Sequence, residues 1–99
     1  MSLTTDRLVI CETEEYQVDL EYNREYLVLH LPRVDKFNKS VLGKLQVLAE
    51  QYEHFSKITG YGVIYAASPM SDNKLPRLLE KLGFVYWGED LNYRLYRRG

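Results

Sequence analysis

Two histidines, one cysteine, nine tyrosines and a short run of basic residues are the side chains in this sequence with chemistry to offer. His30 and His54 lack the cysteine or carboxylate spacing of a zinc site. Cys11 falls in a β-prone run with no histidine near it in sequence, which reads as a packed thiol rather than an activated nucleophile. There is no phosphate-binding P-loop, no G-x-S-x-G elbow and no dinucleotide fingerprint. The one stretch with a pattern of charge is Arg33-Val34-Asp35-Lys36-Phe37-Asn38-Lys39-Ser40, which leads into a helix. There Arg33, Lys36 and Lys39 can hold an anion by charge, helped by the helix dipole, or can form an ordinary solvated basic loop.

The elements that must position these residues follow from periodicity. Asp6 to Cys11 is β-prone. Tyr16, Val18, Leu20 and Tyr22 alternate with Gln17, Asp19 and Glu21, which predicts a strand whose acidic face is wet. Asn23-Arg24 marks a hairpin tip. Tyr26–Leu31 is apolar on both sides and belongs in mid-sheet, with Pro32 expected to end it. The period then changes. Val41, Leu42, Leu45, Leu48, Ala49, Tyr52 and Phe55 form one stripe of a helix from Ser40 to Thr59, roughly 30 Å long. Asn38 or Ser40 can cap its start and Gly60 can close its end. Tyr61–Ala67 reads as a buried strand before the loop Ser68 to Ser71. Leu75, Leu78, Leu79 and Leu82 mark a second helix with Pro76 in its first turn and Gly83 at its end. A last hairpin runs from Phe84–Trp87 to Asn92–Tyr96 around Gly88 to Leu91.

The predicted order is βββαβαββ, an α+β mixed sheet in a single domain spanning residues 1–99. The long helix is a crossover between two parallel strands, Tyr26–Leu31 and Tyr61–Ala67. A net charge of −1 offers no field for nucleic acid or acidic membranes. The terminal Arg94, Arg97 and Arg98 are expected on a solvated edge strand. A single cysteine excludes an internal disulfide and fits a reducing, cytoplasmic setting, and Met1 to Asp6 has no signal-peptide character. Nine tyrosines suit half-buried sheet surfaces.

The stretch Asp72-Asn73-Lys74-Leu75-Pro76-Arg77-Leu78-Leu79-Glu80-Lys81-Leu82-Gly83-Phe84 resembles the late helix of GNAT-type N-acetyltransferases, N-x-x-A-x-x-L-Y-x-K-x-G-F. With the strand order, the resemblance covers nearly the whole chain and implies an acyl-CoA N-acyltransferase core without its first strand and first two helices. Where that family carries a glycine-rich pyrophosphate loop, this sequence has the glycine-free Arg33–Ser40, with Phe37 and Lys39 roughly at the glycine places. Were acetyl-CoA bound, the resemblance places it on Arg33, Lys36, Lys39 and Ser40. The family's general-acid tyrosine aligns with Leu79, which has no proton to give. The resemblance leaves Glu25, His30 and Tyr65 as the catalytic candidates. It therefore implies a non-catalytic acyltransferase-fold module that works by protein contacts, as a homodimer or with a protein partner, with no cofactor, no metal, no nucleic acid and no membrane. The alternative it implies is a minimal acetyl-CoA-dependent N-acetyltransferase whose acceptor site a second subunit completes. Trimmed domains of this kind are similar to small phage-encoded proteins, which would place the chain in an infected cell or a virion.

Overall fold

A computed structural model describes residues 6–99; the polar start at residues 1–5 lies outside them. Six strands and two helices follow in the order β1 (Asp6–Glu12), β2 (Tyr16–Tyr22), β3 (Leu27–Val34), α1 (Lys39–Ile58), β4 (Ile64–Pro69), α2 (Leu75–Lys81), β5 (Val85–Asp90) and β6 (Tyr93–Arg98). They build one mixed sheet in the order β1-β2-β3-β4-β6-β5. Among the described residues only β3 and β4 pair in parallel, through Val28↔Tyr65, Leu29↔Ala66 and His30↔Ala67. The partners then part. β3 continues to Val34 alongside β2, and β4 continues to Pro69 alongside β6.

Alternation decides which side is packed. Val18, Leu20, Leu29 and Ala66 turn to the side of both helices, where they meet Val41, Leu45 and Ala49 of α1 and Leu75, Leu78 and Leu79 of α2 in one core. Asn38 starts α1 by accepting the Val41 N–H on Oδ1 at 2.9 Å. Gly60, at φ +94°, takes the left-handed turn beyond its last residues. Burying the α2 leucines stabilises the fold by roughly 1.5–3 kcal/mol each. No helix of the described residues is long and apolar enough to cross a membrane.

Several expected details differ. Pro32 does not end β3 but lies within it, beyond the last β4 pairing and beside a bulge against β2 between Gln17 and Asp19. A bulge is one of the few places a sheet tolerates a missing N–H. β4 begins at Ile64, because Gly62 adopts φ +85° and holds Tyr61–Val63 out of the sheet, and it absorbs Ser68 and Pro69. Gly88 is inside β5 at a bulge, and the hairpin turns at Leu91, φ 51°. Ser56, not Phe55, completes the inner stripe of α1; its hydroxyl donates to the Glu53 carbonyl at 2.6 Å, which satisfies it there.

Two expected solvent faces are also corrected. β6 is flanked by β4 and β5, so the terminal arginines are not on an edge strand, and Arg98 Nε donates to Glu53 Oε1 of α1 at 3.0 Å. The acidic side of β2 is not fully wet. Asp19 is 7% exposed because Arg7 Nε and Gln17 Nε2 donate to its two oxygens at 3.1 and 2.9 Å.

Candidate functional site

Among the described residues, no helix covers the sheet face opposite the core. β2, β3, β4 and β6 present Glu21, Val28, His30, Tyr65, Ala67 and Leu95 there, lining a groove of about 690 Å³. Tyr26 and Trp87 extend it. Tyr65 packs edge-to-face against both, with ring centroids 6.0 Å from Tyr26 and 5.4 Å from Trp87. His30 lies edge-on to Tyr93 at 6.3 Å.

Of the catalytic candidates, His30 and Tyr65 thus share one groove. Glu25 does not join them: it is exposed in the turn after β2, where its N–H donates to Asn23 Oδ1 at 2.7 Å. The carboxylate that meets His30 is Glu21, whose Oε1 lies 2.9 Å from Nε2. Burial pushes the His30 pKa down, and the Glu21 hydrogen bond opposes that only in part, so the ring stays below the ordinary 6.5. With Nε2 donating to Glu21, the neutral ring carries its lone pair on Nδ1. Asp19, two residues before Glu21 on β2 and directly across from His30, is pushed up by burial but held below the usual carboxylate value by Gln17 and Arg7. Among the described residues no group of histidine, cysteine and carboxylate side chains has the arrangement of a metal site.

A second groove, about 680 Å³, opens on the core side where α1 and α2 begin. Phe37, Asn38 and Lys39 line it from the α1 entry, and Asn73, Lys74, Arg77 and Lys81 from α2. Of the four residues expected to hold a cofactor, Lys39 lines this groove. Lys36 and Ser40 are exposed nearby and do not line it. Arg33 is committed elsewhere: its guanidinium donates to the Glu14 carbonyl at 3.0 Å, to the Thr13 carbonyl and to Asp35, which locks the β1–β2 turn. The charges therefore suit an anion, but the backbone does not suit a pyrophosphate. Val41 N–H is taken by the Asn38 side chain and Leu42 N–H by the Asn38 carbonyl, and the exposed Phe37 ring stands at the mouth.

This chain shares its fold with a solved anti-CRISPR protein. The crystal structure of anti-CRISPR protein AcrVA5 matches with a TM-score of 0.56 and 14% identity, over 98% of this chain and 100% of that one. No family model matches the sequence, and no curated protein matches it. At such identity the likeness speaks for the architecture, and the chemistry rests on the side chains.

Those side chains divide by face. Leu79 is wholly buried in the core, so the position aligned with the acid tyrosine reaches neither groove. Tyr16 is buried on the helix side, whereas Tyr26 is exposed and Tyr22 packs partly on the core. Cys11 packs against the core with Sγ 3.9 Å from the Tyr16 hydroxyl. Sequence reading missed Glu21, Trp87 and Asp90 on the open face, and Lys74, Arg77 and Lys81 at the second groove. Alternation along β2 puts Glu21 on one side with Asp19, but only the β2–β3 register brings it to His30.

Proposed function

We propose that this protein is a non-catalytic module on an acyltransferase-like fold that works by holding a protein partner, a second copy included, against its open sheet face. The observation that carries this reading is the helix-free face with exposed Tyr26, Trp87 and Tyr93 around a groove of about 690 Å³. Exposed aromatic rings in a concave setting are the usual anchors of protein interfaces. The anti-CRISPR protein of like fold is by name directed against a CRISPR system. A comparable antagonist role, exerted by contact inside a phage-infected cell, fits a module of this size. The test is site-specific crosslinking in the host cell. With p-benzoylphenylalanine in place of Tyr26 or Trp87, one discrete protein adduct is expected, and none from the same probe at Gln51 on α1. Adducts formed equally from Gln51, or from no position, would sink the reading.

A second reading is favoured by the cations Lys39, Lys74, Arg77 and Lys81 around the second groove, close to where β3 and β4 part. It is a minimal acetyl-CoA-dependent N-acetyltransferase whose acceptor site is completed by a second subunit. Calorimetry with acetyl-CoA separates the two: a saturating low-micromolar isotherm would bring the enzyme reading to the front.

A further inference from the structure

We infer that the open-face groove is a receptor for an arginine side chain presented by the partner, an inference that rests on the contact-module reading above. The lining carries the carboxylates of Glu21 and Asp90 against one cation, Arg7, while the Glu89 carboxylate is taken by the Tyr86 hydroxyl at 3.2 Å. That cation is already matched, since Arg7 Nη2 lies 3.0 Å from Asp19 Oδ2. His30 adds no charge near neutral pH, because burial depresses its pKa. The groove is therefore negative and rejects anionic ligands.

Its aromatic part points the same way. Tyr26, Tyr65 and Trp87 stand in a row, each neighbouring pair edge-to-face. In such a pair the rim of one ring meets the face of the other, so the row as a whole keeps π faces open. Trp87 is 54% exposed. The face of an aromatic ring is its negative side and attracts a cation. A guanidinium suits this combination better than an ammonium. It is planar, stacks on rings, sheds water more readily and grips a carboxylate with two parallel N–H groups. Asp90 stands at the end of β5, two residues beyond the Gly88 bulge that follows Trp87. Ring and carboxylate are thus within the span of one arginine side chain.

The sequence supplies the reporter, since Trp87 is the only tryptophan. The intact protein is titrated with acetyl-glycyl-arginyl-glycinamide while Trp87 fluorescence is followed. The lysine and citrulline versions of the peptide are titrated in parallel, citrulline being the neutral near-isostere of arginine. A saturable change is expected with arginine, with a midpoint about tenfold below that of citrulline and also below that of lysine. Asp90→Asn, on an exposed position that leaves the core untouched, should raise the arginine midpoint several-fold. Equal midpoints for arginine and citrulline, or no saturable change with arginine, overturn the inference. If the Tyr26 and Trp87 crosslinks form while the arginine titration is flat, the contact-module reading stands and this inference alone falls. If arginine saturates without crosslinks, the groove takes small cations and the contact-module reading falls.

Discussion

Glu21 on β2 and His30 on β3 are joined across the open sheet face, Oε1 to Nε2, at 2.9 Å. The contact is diagonal, because His30 pairs in register with Asp19 and Glu21 with Val28. A histidine held this way would ordinarily gain basicity from the carboxylate. Here burial is the larger influence and the ring's pKa lies below 6.5.

The unfolded chain therefore takes up this proton more readily than the folded one. Stability is whole above 6.5 and is lost as pH falls from there through the depressed folded value. Asp19 behaves differently, its folded pKa being lowered from 3.8, so its contribution fades only at more acid pH. Urea midpoints measured between about pH 7.5 and 5 should fall for the native sequence and fall less for His30→Gln. Identical slopes for the two proteins would contradict this.

The core of α1 and α2 sets a second expectation. Leu45 and Leu79 are 2% and 0% exposed, so Leu45→Ala and Leu79→Ala should each cost about 2–5 kcal/mol in denaturant unfolding. Phe55→Ala, on the exposed side of the same helix, should cost far less. A loss below about 0.5 kcal/mol at Leu45 would show that the helix is turned away from the sheet.

Arg33 is the next test, since it was expected to face a cofactor and instead braces a turn. Arg33→Ala should destabilise by about 1.5–3 kcal/mol, the range for hydrogen bonds that involve a charged group, with no change in the affinity for acetyl-CoA. A fall in acetyl-CoA affinity with unaltered stability would return Arg33 to the ligand site.

Acetyl-CoA itself should bind no tighter than roughly millimolar. Four exposed cations at about 0.3–1 kcal/mol each supply about 1–4 kcal/mol, whereas a micromolar site needs about 8. Lys74→Ala with Lys81→Ala should weaken what binding exists. Isothermal titration reads both, and a low-micromolar isotherm abolished by the pair would overturn the contact-module reading.

Self-association gives a fifth measurement. If a second copy is the occupant of the open face, sedimentation at micromolar concentration should show a dimer that Tyr26→Ala and Trp87→Ala dissociate. A monomer near 11.7 kDa assigns the face to a different protein.

The element order and the helical stripes were legible in the sequence because period and capping are local. The 3.6-residue stripe from Val41 to Tyr52 and the leucines of α2 needed no knowledge of neighbours. What escaped was whatever depends on register. Bulges at Gln17/Asp19 and Tyr86/Gly88 each shift a strand by one residue, and they decide that Trp87 meets Tyr65 on the open face. Asp19 reads as wet in an alternating strand, yet its burial depends on Arg7 of a neighbouring strand. The fate of Arg33 was equally non-local, set by backbone carbonyls roughly twenty residues earlier, in the acidic turn of Thr13, Glu14 and Glu15.

β6 follows every other element in the sequence, yet it sits inside the sheet, between β4 and β5. During synthesis the earlier strands can emerge and pair as a three-stranded antiparallel ribbon, but β4 and β5 have no common partner until Tyr93–Arg98 arrives. The growing polypeptide must therefore wait with two strand edges bare. β6 acts as a wedge that closes the middle of the sheet, and a chain cut before Tyr93 would be unable to finish folding.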